Sequence, residues 1–184
     1  MIGAGGAIVF SLATQNDLPE IIELFRAAIR RMDELGIPQW DEIYPSVDVL
    51  SEDVASGRME VGRSEGKIAV AFLLEECVEG EYEAADWRYP EPRFVVLHRL
   101  CVHPAFQGRG IARQAMDYIE QSVRARGIRA IRLDAFSLNP TALRLYESRG
   151  FEKAGEIQFR KGLFYLYERL LPQQSVLPDD GGRL

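Results

Sequence analysis

The pattern of apolar residues along these 184 positions predicts an α/β (α+β) domain, one mixed sheet with helices packed on it. Two observations carry that expectation. Runs with strand character alternate with amphipathic helical runs, in the order β-α-α-β-β-β-α-β-α-β-β. The hydrophobic share of 47% and the charged share of 27% are those of an ordinary globular chain, and the length suits one domain, taken as residues 1–171.

Ile8 to Ala13 reads as the first strand. Thr14 followed by Asp17 resembles a capping box, with Asp a weaker partner there than Glu. The helix behind it repeats apolar residues every three or four positions, at Leu18, Ile21, Ile22, Phe25, Ile29 and Met32, and stops at Gly36 and Pro38. Ser46 caps a short second helix through Val49, Leu50 and Val54, closed by Gly57. Met59 to Arg63 and Lys67 to Val78 form a hairpin about Glu65-Gly66. Between positions 75 and 91 stand Glu75, Glu76, Glu79, Glu81, Glu83, Asp86 and Glu91 against the single base Arg88, an expected solvated acidic loop. Phe94 to Val102 is the most apolar strand. A helix from Gly110 to Gly127 buries Ala112, Ala115, Met116, Ile119 and Val123, and Ile128 to Ala135 is the next strand. Asn139-Pro140 opens a helix that Gly150 ends, since Asn caps and Pro at the first position has no amide to waste. Phe151 to Phe159 and Leu163 to Leu171 make a last hairpin, and residues 172–184 are expected to be a flexible tail.

A net charge of −6 argues against general nucleic-acid binding and tilts the choice of partner toward cations. Cys77 and Cys101 form no CxxC pair, and His98 and His103 are the only histidines, so no metal site is expected. No run approaches the roughly 18 apolar residues needed to span a bilayer. The first residues lack the basic and apolar regions of a signal peptide. A cytoplasmic protein without membrane contact is the expectation.

Chemistry concentrates in the segment Leu100 to Ala112. A buried strand feeds a loop with Gly108 and Gly110, and the loop opens a helix. The first turn of a helix has amides without acceptors and partial positive charge, and glycine keeps Cβ atoms out of an anion's way. Such a turn suits a pyrophosphate, with Arg109 and Arg113 adding charge. Downstream, Asn139 and Tyr146 stand seven positions apart on one helix, two turns along one face.

Gln107-Gly108-Arg109-Gly110-Ile111-Ala112 resembles the Q/R-x-x-G-x-G/A loop of the GNAT superfamily of acyl-CoA N-acyltransferases. Asn139 to Phe151 resembles its N-x-x-A-x-x-x-Y-x-x-x-G-F element. The resemblance implies a mostly antiparallel central sheet with helices on both faces, and acetyl-CoA bound between splayed central strands. It implies that backbone groups of Leu100, Cys101 and Val102 hold the pantetheine arm, and that an amide near Leu100 faces the thioester oxygen. The amides of Gln107, Gly108, Arg109, Gly110, Ile111 and Ala112 would take the pyrophosphate. Asn139 would touch the pantetheine, and Tyr146 would protonate the departing thiolate. A phenol, with a pKa of about 10, carries its proton at neutral pH. The implied activity is transfer of acetyl to the amine of a small molecule or peptide, without a metal; homodimers are common in the superfamily.

An attacking amine must lose a proton. Many superfamily members use a strand glutamate near the position of Val96, which this chain lacks. His98 is the replacement: on simple alternation it shares a strand face with Leu100 and Val102, and histidine titrates near neutrality. A similar H-x-L-x-V-H stretch in serotonin N-acetyltransferase places a histidine in that role. The other reading of His98 is a backbone-bonded residue at the edge of the site. His103 reads as a turn residue. Cys101, of opposite parity to His98, reads as a small strand residue rather than a nucleophile. In the link Gln39 to Pro45 between the first two helices, Trp40 and Tyr44 with the acids Asp41 and Glu42 hold the amine by cation–π contact and charge, or the two aromatics anchor the loop. Trp87 and Tyr89 invite the same two readings. Two rival functions remain: a CoA-binding module without catalysis, and a nucleotide-binding domain. The second lacks both the P-loop lysine and a third glycine.

Overall fold

The structure, a computed structural model, describes residues 8–76, 85–89 and 93–172. Its elements follow the expected order: β1 (Val9–Leu12), α1 (Leu18–Glu34), α2 (Val47–Ala55), β2 (Met59–Ser64), β3 (Lys67–Glu76), β4 (Phe94–Val102), α3 (Ile111–Ala125), β5 (Ala130–Phe136), α4 (Pro140–Ser148), β6 (Glu152–Phe159) and β7 (Gly162–Leu170). The strands make one sheet in the order β1-β2-β3-β4-β5-β7-β6. Among the described residues only the β4–β5 pair is parallel, and α3 is the crossover that a parallel connection requires.

Helices cover both faces. On one, Ile111, Ala115, Met116, Ile119 and Val123 of α3 and Tyr146 of α4 pack on Val95, Leu97, Ile131 and Leu133. On the other, α1 and α2 set Ile21, Leu24, Phe25, Leu50 and Val54 against Val61, Ala71 and Cys101. The α1 stripe is rotated slightly from the expected one. Ile21, Leu24, Phe25 and Ala28 are buried, while Leu18, Ile22, Ile29 and Met32 form its rim. Thr14 and Asp17 do form the capping box, and the Ser46 hydroxyl accepts the Val49 amide at 3.3 Å.

Glu75 and Glu76, the first two acids of the expected loop, instead close β3 and are ion-paired. Glu75 pairs with Arg58, and Glu76 with Arg93 and Arg126. Segment 85–89 lies on the far half of the sheet. There the Arg132 guanidinium sits 4.2 Å from the Trp87 ring and 3.9 Å from the Phe94 ring. Arg132 Nε donates to Glu168 at 2.9 Å, and the other Glu168 oxygen accepts the Arg88 and Tyr89 amides at 3.0 and 3.1 Å. Trp87 is therefore an anchor of this segment. Cys77, Glu79, Glu81, Glu83, Glu91 and the tail beyond Pro172 lie outside the described residues.

Two irregularities prepare the site. β4 and β5 pair from Phe94↔Ala130 to Leu97↔Leu133 and then stop, although β5 goes on pairing with β7 as far as Phe136↔Phe164. The second half of β4 thus parts from β5, and a wedge opens between them. Opposite that point, β4 bulges: His98 faces Leu73 and Cys101 faces Ala71, so Arg99 and Leu100 together oppose Phe72 alone.

Candidate active site

The phosphate-type turn forms as the sequence suggests. His103 Nδ1 accepts the Ala105 amide at 3.1 Å, which confirms a turn role and starts a single helical turn at Pro104. Phe106 buries its ring beneath, with the Arg109 guanidinium 5.3 Å from its centroid. Gly108 and Gly110 have φ of +75° and +77°, and a Cβ at either would point into open space within 4 Å. Their glycines answer a backbone demand and leave the turn's outer surface bare. The helical ladder of α3 begins with the Gln114 amide donating to the Gly110 carbonyl at 3.1 Å, so the amides of Ile111, Ala112 and Arg113 have no helical acceptor. This donor set fits a pyrophosphate. Gln107 turns its side chain back, Nε2 donating to the Val102 carbonyl at 3.2 Å.

Asn139 caps α4, its Oδ1 accepting the Ala142 amide at 3.1 Å. Its Nδ2 donates to Gln39 Oε1 at 2.9 Å, which ties α4 to the link between α1 and α2. Tyr146, two turns on, is 7% exposed among Phe151 and Tyr167, at ring distances of 5.7 and 6.4 Å. Burial first, then the Asp134 charge, pushes its phenol well above the ordinary value of 10.

The bulge corrects one expectation. Simple alternation puts His98 on the side of Leu100 and Val102, but the extra residue reverses the faces. His98 and Cys101 lie opposite Leu73 and Ala71, on the face of α1 and α2. Leu100 and Val102 pack on the α3 face instead. His98 and Tyr146 therefore stand on opposite faces of the sheet, with the wedge between them.

His98 Nε2 lies 3.6 Å from Glu75 Oε2. Burial, then the charges of Arg99 and Arg58, lower its pKa to about 4, so it is neutral at pH 7 and does not titrate near neutrality. Burial pushes the Cys101 thiol far above the usual range, which leaves no thiolate for nucleophilic chemistry.

On the same face, Trp40 is 8% exposed and packs 5.4 Å from Phe25, so here it is an anchor of the core. Tyr44 is 40% exposed, and its hydroxyl accepts from Arg99 Nη1 at 2.6 Å. Arg99 Nη2 donates to Asp53 Oδ1 at 2.7 Å. Asp41 accepts the Ile43 and Tyr44 amides and pairs with Arg160 and Lys161 at 2.7 and 3.1 Å, binding the α1–α2 link to the β6–β7 turn. Sequence reading missed Arg99, Asp53 and Arg58, while Asp41, one of the two acids it offered for the amine, is taken up by Arg160 and Lys161. A signal existed for Asp53 alone: it sits on the buried stripe of α2 with Leu50 and Val54, where a charge needs a partner.

Residues 52–151 match the model of the Acetyltransferase (GNAT) family. The chain belongs to that family. Among GNAT relatives, it is 30% identical over 79 residues to the uncharacterized N-acetyltransferase YycN of Bacillus subtilis, covering 41% of this chain and 51% of the relative. The chain thus spans about half the length of that relative. In fold it is similar to a GNAT-family acetyltransferase of Streptococcus agalactiae, with a TM-score of 0.80 at 21% identity over 90% of this chain and 96% of the other. It is also similar to the putative acetyltransferase yncA of Salmonella typhimurium with its cofactor acetyl-CoA, with a TM-score of 0.65 at 20% identity, covering 92% and 97%. Among the described residues, no helix is long and apolar enough to cross a membrane, and no group of three or more His, Cys, Asp or Glu residues is placed to hold a metal ion.

Proposed function

We propose that this GNAT-family chain is an acetyl-CoA-dependent N-acetyltransferase that moves acetyl to a primary amine of a small molecule or peptide by direct attack in a ternary complex. The observation that carries the reading is the parting of β4 from β5 after Leu97, beside the amide-rich first turn of α3. The amides of residues 108–112, with Arg109, hold the pyrophosphate, the Gln107 amide being taken by the Pro104 carbonyl at 3.2 Å. The backbone of Leu100, Cys101 and Val102 lines the pantetheine. Acetyl-CoA supplies an activated thioester. Asn139 orders the α4 end of the channel through its cap and its bond to Gln39.

The two faces then take different jobs. The amine arrives on the α1–α2 face, past Tyr44, where neutral His98 accepts its proton directly or through water. A backbone amide at the bulge donates to the carbonyl oxygen as charge builds there. The new C–N bond forms, the C–S bond breaks, and Tyr146, on the opposite face, gives its proton to the sulfur. Its raised pKa keeps it protonated until the thiolate forms. Val96, where a glutamate would serve as base, favours a second reading: a CoA-binding module without turnover.

Calorimetric titration with acetyl-CoA, CoA and ATP tests the cofactor assignment. Micromolar binding of both CoA species with ATP silent supports it, and folded protein that binds neither sinks it. Turnover of acetyl-CoA against a panel of polyamines, amino acids and peptides then separates the enzyme from the silent module.

A further inference from the structure

The residue at the bulge is an unusual choice. Arg99 has φ of +52°, a left-handed conformation that side chains other than those of glycine and asparagine rarely take. Glycine would adopt it without strain, so the arginine side chain must offset a backbone cost. What it touches indicates how. One guanidinium nitrogen reaches Asp53 of α2 at 2.7 Å and the other reaches the Tyr44 hydroxyl of the α1–α2 link at 2.6 Å. The Arg99 and Asp53 side chains are only 11% and 8% exposed. Yet Arg99 Nε and Asp53 Oδ2 are buried without a hydrogen-bond partner among the described residues. A pair selected for stability alone would satisfy those atoms. Strained backbone together with unsatisfied buried polar groups is the signature of a site shaped for function.

We infer that Arg99 is a positioning residue: by gripping Asp53 and Tyr44 it locks the β4 bulge so that the adjoining backbone amide points into the wedge, and it links that amide to the acceptor-side loop. The inference rests on the proposed acetyl-CoA reading. The fork matters, because a planar guanidinium can hold two partners in fixed directions and an ammonium cannot. Tyr44 is the exposed end of this chain of contacts, and Asp53 is its buried root.

The test reads the carbonyl rather than turnover, so no acceptor need be known. Acetyl-CoA labelled with ¹³C at the thioester carbonyl is bound to the full-length protein, and its stretching band is recorded by infrared difference spectroscopy. Donation by a fixed amide moves the band to lower frequency on binding. Arg99→Gly, which relaxes the backbone and removes the grip, is expected to lose at least half of that shift while the acetyl-CoA Kd stays within about threefold. Asp53→Asn keeps the shape of the root and should lose a smaller part, and it serves as the test if Arg99→Gly does not fold. Arg99→Lys, holding one partner at most, should fall between wild type and Arg99→Gly. A full shift in folded Arg99→Gly or, failing that, in Asp53→Asn overturns the inference. So does acetyl-CoA bound to wild type with an unshifted band, which leaves the cofactor reading standing. Folded wild-type protein that binds no acetyl-CoA overturns both.

Discussion

The two sides of the wedge, proposed above to take the cofactor and the acceptor, are built by different means. The cofactor side is held by neighbours in sequence: Gln107 to Val102, His103 to Ala105, Asn139 to Ala142, each within five residues. The acceptor side is held by partners 46, 55, 100 and 119 residues apart, at Arg99–Asp53, Arg99–Tyr44, Asn139–Gln39 and Arg160–Asp41. The first depends on backbone amides and needs little more than two glycines and a cap. The second depends on charged side chains brought together only by the finished sheet. A pyrophosphate is the same in every reaction of this kind and suits a local device. An acceptor differs between enzymes and suits loops that can be re-tied.

Substitutions on the cofactor side should therefore give the larger effects. Tyr146→Phe keeps the ring packed against Phe151 and removes only the hydroxyl proton. It should lower kcat by about 100-fold or more, the scale of a lost general acid, with the acetyl-CoA Kd unchanged. An unchanged kcat in folded Tyr146→Phe would show that the ring is core and nothing else. Next in size is Gly110→Val. A β-branched residue at φ +77° brings roughly 1–3 kcal/mol of strain, so the acetyl-CoA Kd should rise by about 10- to 100-fold as the turn reshapes. Gly66→Val makes the same demand at φ +78° in the β2–β3 turn. It should cost comparable stability, read by urea unfolding, and leave the acetyl-CoA Kd alone.

The same division explains what could be read from sequence. Element order, the phosphate-type turn and the Asn139 cap are local patterns, and the structure has each of them. The face of His98 departs from simple alternation because alternation assumes a regular strand, and β4 bulges where its pairing with β5 ends. No residue type announces it; the strained residue is an arginine, not a glycine. In sequence, Trp40 and Trp87 are alike, aromatics near acids that either bind an amine or anchor a loop. Only tertiary packing gives Trp40 to Phe25 and Trp87 to Arg132.

His98 tests whether acceptor-side charges tune the chemistry. Burial with Arg99 and Arg58 nearby holds it at about 4, so its limb in the kcat profile should lie near pH 4 rather than near 6.5. Arg58→Gln removes one of those charges and releases Glu75, 3.6 Å from the imidazole, so the limb should move toward neutral pH. Stability follows the same shift. The unfolded chain binds a proton here below about pH 6.5, and the folded one resists it until about 4. Folded stability is therefore unaffected by this group above about pH 7, falls on the order of 3 kcal/mol as pH drops through that window, and levels below it. In His98→Ala, urea midpoints at pH 7 and pH 5 should differ less than in wild type; an unchanged difference would remove the burial argument.

The smallest effect belongs to the most exposed tie. Asp41 joins the α1–α2 link to Arg160 and Lys161 of the β6–β7 turn, and Arg160 keeps about half of its side chain in water. The Arg160 hydrogen bond holds the Asp41 carboxyl well below the usual carboxylate range, so the pair persists at any pH where the enzyme would be assayed. Exposed pairs contribute up to about 1 kcal/mol, so Asp41→Asn should raise the KM of whichever amine the panel identifies by no more than about fivefold. The acetyl-CoA Kd should not move, because the turn at residues 107–113 is built without this loop. Salt supplies the control: raising KCl from about 0.1 to 1 M shortens the screening length from about 10 to 3 Å, which weakens the wild-type tie and should bring the two KM values together. A difference that survives high salt would mean that Asp41 meets the amine itself, as a binding group rather than a tether.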